Sequence, residues 1–365
     1  MRETHWAACA TVRPRPASCA DGVHRMSSPH IPVMLDAVIE ALSPEPGDVM
    51  VDATFGAGGY TRALLQAGAR VIAIDRDPDA VAAGRELAHA HDRLTLDQAR
   101  FSGLDAVVRS HGLDRVNGVV ADIGVSSMQI DRPERGFSFM RDGPLDMRME
   151  QTGESAADIV NQWPQPALTR LIGLLGEDRQ APRIAAAILR NRPFETTLQL
   201  ADAIEAAIGR RPGDRIHPAT RSFQALRMQV NRELDELADA LLAAERVLAP
   251  GGRLVVVSFH SLEDRLVKRF LASRSGQGGG SRHAPLSPTG VATFQVARGG
   301  ARTVTEAEAD TNPRARSARL RVAVRTAAPP PPFDRTILGV THVDPDAGPR
   351  ARRERRAAPG KARRR

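Results

Sequence analysis

The 365 residues carry 51 Lys and Arg against 43 Asp and Glu, a formal net charge of +8, with 42% hydrophobic and 4% aromatic content. The hydrophobic fraction supports a packed core, at a length suited to two domains or to one large domain with an insertion, and so few aromatic side chains exclude an extended base-stacking platform. The two cysteines, Cys9 and Cys19, can build neither a disulfide framework nor a Cys/His metal cluster, so no metal is expected and a reducing cytoplasm is.

In chain order, residues 1–25 read as an unstructured extension. The short apolar run Trp6 to Val12 is interrupted by Arg13 and Arg15 before any cleavage site, which leaves Met26 as an alternative initiator. No apolar run approaches the ~18 residues of a membrane span. His30 to Leu42 has apolar residues at helical spacing. Val49 to Val51 is a short apolar strand ending at Asp52, followed by a glycine turn (Gly56, Gly58, Gly59), a helix over Thr61 to Gln66, and a second strand, Val71 to Ile74, ending at Asp75. A helix over Pro78 to Ala90, a brief strand at Leu94 to Leu96, Phe101 in the next loop, and an apolar strand, Asn117 to Ile123, ending at Asp122 continue the alternation.

The rhythm then changes. Residues 131–220 show helical patterns at Pro164 to Leu175, Ala181 to Arg190 and Leu198 to Ile208 and no convincing strand, which predicts a small helical domain inserted between a first sheet segment, 26–130, and a second, 221–328. Ser222 to Leu248 reads as one long amphipathic helix, Arg253 to Phe259 as a buried strand, Leu262 to Leu271 as a helix, Gly276 to Gly280 as a flexible stretch, and Leu320 to Val324, alternating with arginine, as a last, edge strand. Residues 329–365 read as a disordered basic tail: between Arg350 and Arg365 nine basic residues stand against one acid, so the tail holds the whole charge excess. A polyanion would then meet either that tail or local patches on an overall neutral body.

Alternating strands and helices imply a Rossmann-like, doubly wound parallel α/β sheet, in which ligands lie beyond the carboxyl ends of the strands. Asp52, Asp75, Asp122 and Ser258 to His260 all fall at such ends. The dinucleotide fingerprint needs a third glycine where this chain has Thr61, and Asp52 would sit badly beside a pyrophosphate but suits a cationic ligand end. The pattern therefore favours S-adenosylmethionine, with a turn that binds nothing as the plainer alternative.

The blocks TFGAGGYTR (from Thr54), AIDRDP (from Ala73), DIGVSSMQID (from Asp122), ERGFSFMRDGPLDMRM (from Glu134), HPATRSFQALRMQVN (from His217), SFHSLEDRLVKRF (from Ser258) and NPRARSARLR (from Asn312) closely resemble the bacterial 16S rRNA cytosine-N4 methyltransferase family, RsmH or MraW. The resemblance spans about His30 to Thr326 and neither terminal extension. It implies a class I methyltransferase sheet that binds S-adenosylmethionine and a helical insertion facing RNA. The implied reaction is methylation of N4 of one cytosine in the decoding region of 16S rRNA in the small ribosomal subunit. Position by position it implies cofactor contacts from Gly58, Gly59, Tyr60, Asp75, Phe101, Asp122 and Gln129, with Tyr60 where some members carry histidine.

The cytosine amine is a poor nucleophile, so acceptors aimed at its N–H groups would help. The Asp/Asn-Pro-Pro-aromatic turn of many amino-methyltransferases is missing: the fourth strand ends Asp122-Ile123-Gly124-Val125. Asp122 is the first catalytic candidate, unless it is spent on holding the cofactor, and His260 is the second. On the substrate side, Arg135, Arg141 and Arg148 interleave with Phe137 and Phe139, which suits a flipped base and its phosphates. The alternative is a packed loop whose arginines pair with Asp142 and Asp146. Arg314, Arg316 and Arg319 suggest phosphate contacts or simple edge protection, and the tail either binds RNA non-specifically or serves solubility. A nicotinamide-dependent oxidoreductase, a non-catalytic rRNA-binding assembly factor and methylation of another RNA base are the competing functions. Oligomeric state is open, a homodimer included.

Overall fold

The computed structural model describes residues 32–210, 213, 216–276, 291–296, 300–339 and 342–346. The expected N-terminal extension with both cysteines, the glycine run after Gly276, the Arg314 side chain and the arginine-rich tail from Arg350 lie outside the described residues.

Eight strands form one sheet: β1 (Val49–Asp52), β2 (Arg70–Asp75), β3 (Leu94–Gln98), β4 (Val116–Asp122), β5 (Leu248–Ser258), β6 (Phe294–Val296), β7 (Arg302–Thr303) and β8 (Arg319–Arg325). Their order is β3-β2-β1-β4-β5-β8-β6, with β7 also paired to β8. The first five strands run parallel and β8 runs antiparallel to β5. Strand order reverses between β1 and β4, so a crevice opens above Asp52 and Asp122, the last residues of those two strands.

The strands read as unbroken apolar runs because both faces are covered. Successive residues alternate between two hydrophobic clusters. Val51, Ile72, Ile74, Val119, Ala121, Leu254 and Val256 join one, while Met50, Val71, Ala73, Val120, Val255 and Val257 join the other. The second cluster is closed by α1 (Leu35–Leu42) and α2 (Gly59–Gln66). After β2 and β3 come α3 (Pro78–Ala90), which starts at Asp77 with Pro78 in its first turn, and α4 (Leu104–Ser110); α5 (Ser127–Asp131) follows β4.

Between α5 and β5 the chain is helical: α6 (Ala156–Gln162), α7 (Gln165–Leu175), α8 (Ala181–Asn191), α9 (Thr197–Ile208), α10 (Thr220–Val230) and α11 (Glu233–Val247). Leu168, Leu171, Ile184, Ile188, Leu200 and Ile204 share one continuous core with the inner face of the sheet. The short α6 is not apparent from apolar spacing, but Ser155 and Asp158 cap each other at its start, a signal visible in the sequence. After β5 come α12 (Ser261–Arg274) and α13 (Glu306–Thr311). Among the described residues no helix is long and apolar enough to cross a membrane.

Three expectations are corrected. The single helix over Ser222 to Leu248 is two, α10 and α11, broken where Arg232 adopts φ 49°. The break turns the buried Asn231 amide toward the 147–149 loop: it donates to Met147 O at 2.7 Å and Arg227 O at 2.9 Å and accepts from Met149 N–H at 2.8 Å. The second correction is that β8 is not an edge. Three-residue β6 covers it, Arg321 pairs with Asp264 at 2.7 Å, and the buried Arg325 donates to Glu245 O at 2.9 Å, so Arg321 and Arg325 are internal struts while Arg319 stays exposed. Third, the chain after Pro329 is not disordered throughout. Phe333 packs against Phe270, Leu338 and Val343 are buried, and Val343 exchanges two backbone hydrogen bonds with the Gln229 side chain at 2.9 and 3.0 Å.

Replacing Asn231 by Ala leaves Met149 N–H and Met147 O buried without partners. Unsatisfied buried groups cost about 1–3 kcal/mol each, so Asn231→Ala should lower unfolding free energy by roughly 2–4 kcal/mol in urea titrations; a change below about 0.5 kcal/mol would show the break to be passive.

Candidate active site

The glycine turn after β1 is built by backbone contacts. Phe55 N–H donates to Ile74 O at 2.9 Å, and Gly58 N–H closes the turn on Phe55 O at 2.7 Å. Gly58 has φ 75°, and a Cβ there would come within 2.8 Å of the Phe55 ring; at Gly59 a Cβ would meet Pro32 Cγ at 2.0 Å. The turn opens α2, whose N-terminus carries no side-chain cap. Its free N–H groups and positive dipole end suit a carboxylate. Tyr60, in the first turn of α2, is buried and donates its hydroxyl to Val33 O, tying the incoming chain over the turn. Burial, then the charges of Asp122, Asp52 and Glu308, raise its phenol well above the ordinary value.

Asp75 sits at the end of β2 and accepts one backbone N–H on each oxygen, Gly56 and Asp77, both at 2.8 Å. It keeps lone pairs for a diol, and burial raises its carboxyl above the usual range. Asp52 behaves differently from the expectation of a direct cation contact. It is fully buried, accepts from the Thr61 hydroxyl at 2.7 Å and from Thr54 N–H at 3.3 Å, and is pushed by burial up to about 6. Thr61, which replaces the third glycine of a dinucleotide turn, therefore locks the turn from beneath.

Asp122 ends β4. Its N–H donates to the Thr54 hydroxyl at 2.7 Å, joining it to the turn. Its carboxylate Oδ1 is buried and has no hydrogen-bond partner. Burial, then the charges of Asp52 and Glu263, push this carboxyl up to about 8. Beyond β5, His260 caps α12. Its Nε2 lies 2.7 Å from Glu263 Oε1, a contact close in distance but poorly aligned, and its buried Nδ1 is without a partner. Glu263 is wholly buried and its other oxygen accepts from Phe259 N–H at 2.9 Å and His260 N–H at 3.2 Å. Behind them Arg227 binds Glu233 through two bonds of 2.8 and 2.9 Å and lies 3.5 Å from His260 Nε2. Burial opposes the charge on Arg227, but Glu233 and Glu263 outweigh it and raise its basicity. Glu233, His260 and Glu263 bring ligand-type atoms within 4.8 Å of one another, and Arg227 already supplies their positive charge. Sequence reasoning passed over Glu263 and Arg227. The His-x-x-Glu spacing at the start of a helix, which matches a capping box, was the available signal.

Phe101 begins a 3-10 turn beside β3 and packs half-buried against the inner core. Gln129 is buried, and both ends of its amide are engaged: Nε2 donates to Asp77 at 2.8 Å and Oε1 accepts from Ser126 N–H at 3.0 Å. The arginines expected to face RNA are mostly internal. Arg135 is buried, pairs with Asp77 at 2.9 Å and Asp79 at 3.0 Å, and donates to Arg148 O and Met149 O. Arg148 grips Asp146 and donates to Gly153 O at 3.0 Å. Phe137 lies half-buried under the Arg135 guanidinium, 5.7 Å from ring centre to carbon. Carboxylates and carbonyls thus consume the charge of Arg135 and Arg148; Arg141 stays exposed, donating to Asp131 O.

A parallel sheet reversing at β1/β4, a glycine turn opening an uncapped helix, and acids ending β1, β2 and β4 define an S-adenosylmethionine-dependent methyltransferase of class I fold. The orphaned Asp122 oxygen fits such a ligand, because a buried carboxylate without a partner calls for a cation or a donor. The description of the MraW methylase family matches residues 27–326, and the chain belongs to that family. It is 60% identical over 326 residues to ribosomal RNA small subunit methyltransferase H of Mesorhizobium japonicum, covering 88% of this chain and 95% of that one. It is 58% identical over 317 residues to the protein of the same name from Brucella canis, covering 85% and 92%.

The folded pKa of Asp122, about 8, lies above its ordinary 3.8. Its contribution to stability is therefore fully present below about pH 4 and is lost as pH rises through about 8. In the ligand-free protein Asp122→Asn should raise urea stability at pH 8 and have less effect at pH 5. Equal effects at both pH values would contradict a strained carboxylate.

Proposed function

We propose that this protein methylates small-subunit ribosomal RNA, at N4 of a cytosine in the decoding region, using S-adenosylmethionine. The observation that carries the reading is the buried, unpartnered Asp122 oxygen at the switch point, linked through Thr54 to the glycine turn. The names of the relatives support the RNA class, and the family resemblance supports N4 of cytosine. The backbone of Gly58, Gly59 and Tyr60 at the free end of α2 would hold the cofactor's carboxylate, Asp75 its ribose, Phe101 its adenine side, and Asp122 its cationic region. Gln129 and Arg135 act one step back by fixing Asp77 at the start of α3. Residues 131–220 would form the RNA-facing portion, and the protein would work with the ribosome in the cytoplasm.

The bound cofactor supplies a methyl group already activated by a sulfonium. What remains is alignment and proton handling. An amine that gains a methyl must lose a proton, and Asp122 would be the carboxylate to take it: at about 8 in the empty site it is largely protonated at neutral pH, and the positive charge of a bound cofactor would favour the ionised form that can accept a proton. His260, with Nδ1 free and Nε2 against Glu263, is held to orient the base.

The test is methyl transfer to small ribosomal subunits from a strain lacking the protein, with nucleosides mapped by mass spectrometry. Wild type should restore N4-methylcytidine. Asp122→Ala should lower the single-turnover rate by about 10²-fold or more, the usual effect of removing a proton acceptor. Calorimetry on that variant separates its roles: unchanged cofactor affinity assigns Asp122 to the amine, and lost affinity assigns it to the cofactor. Modification at another nucleoside would refute N4 of cytosine, and no transfer with bound cofactor would favour an assembly factor.

A further inference from the structure

A hollow of about 480 Å³ lies at the start of α12, beside His260. It is lined by His260 and Ser261 together with Asp264, Arg265, Lys268, Thr303, Arg316 and Arg319. Four cationic side chains thus face one carboxylate, although the body of the chain outside the tail is neutral overall. The charges are not equally committed. Arg265 is held by Glu177 at 2.9 Å, and Arg319 shares Asp264 with Arg321. Arg316 is 71% exposed with its nearest acid, Asp310, 4.0 Å away, and Lys268 is exposed with no ion pair among the described residues. Asp264 is neutralised from the β8 side, so Lys268 and Arg316 present net positive charge to the hollow.

We propose that this hollow seats a phosphodiester of the rRNA strand next to the methylated base, with Lys268 and Arg316 as its principal cations. The inference rests on the function proposed above and supplies what Arg135 and Arg148, spent on internal partners, cannot. His260 ties the two sites together. It lines the hollow, and its partner Glu263 acts electrostatically on Asp122, so a backbone gripped here runs past the strand ends where the amine is methylated. Because such contacts release counterions, they give affinity that falls with salt and is indifferent to base identity. Both side chains reach the hollow from surface positions, so changing them leaves the turn after β1, Asp75 and Asp122 untouched.

The test is the double variant Lys268→Glu/Arg316→Glu in the full chain, assayed on small ribosomal subunits from a strain lacking the protein. The expected result is at least a tenfold weaker affinity for the particle, a shallower dependence of affinity on salt by about two ions, and unchanged affinity for S-adenosylmethionine by calorimetry. Lys268→Arg/Arg316→Lys should behave as wild type. Unchanged particle affinity in the charge-reversed protein, with wild type binding and methylating normally, would overturn the hollow alone. Loss of S-adenosylmethionine affinity together with particle affinity would also overturn it, as damage to the fold. If wild type itself neither binds nor methylates the particle, both this inference and the proposed function fall.

Discussion

A carboxylate oxygen left without a partner inside a parallel sheet is costly, and Asp122 keeps one at the point where strand order reverses. The surrounding groups hold that oxygen in place and none of them neutralises it. Thr54 fixes the Asp122 backbone, Asp52 and Thr61 fix Thr54 and the turn, and Asp52 and Glu263 add negative potential. Removing the strain would stabilise the protein and destroy the reason for the crevice, which is the usual relation between a binding site and its fold.

The two sides of the crevice have different construction. On the β1–β2 side, backbone geometry dominates: glycines that admit no Cβ, an uncapped helix, and an acid holding two N–H groups. On the β5 side, side-chain charge dominates: Glu263 beneath His260, Arg227 behind, and the basic hollow outside. A cofactor common to many enzymes suits the first kind of wall, and a substrate that is a polyanion suits the second. The long helical segment is joined to this frame by Asn231 and by Phe333, Leu338 and Val343, which meet α10 and α12.

Much of the sheet was legible because buried parallel strands are apolar runs ending in polar residues, and Asp52, Asp75 and Asp122 stand where those runs stop. Partner identity was not legible. Arginines among aromatics in residues 135–148 look the same whether they await phosphate or grip Asp77 and Asp146, and only packing distinguishes the two. Apolar periodicity from Ser222 to Leu248 continues through the break at Arg232, since both helices bury the same face. The stretch after Pro329 hides three anchors, Phe333, Leu338 and Val343, among prolines and polar residues whose composition signals disorder.

Everything turns on whether a cationic ligand meets Asp122. The most direct measurement is the titration of that side chain, by carboxyl carbon NMR with Asp122→Asn for assignment, without and with saturating S-adenosylmethionine. The account predicts a carboxyl that titrates near 8 in the free protein and well below that once the ligand is bound. An Asp122 that titrates in the ordinary carboxylate range when free, or at the same pH with and without the ligand, would contradict it.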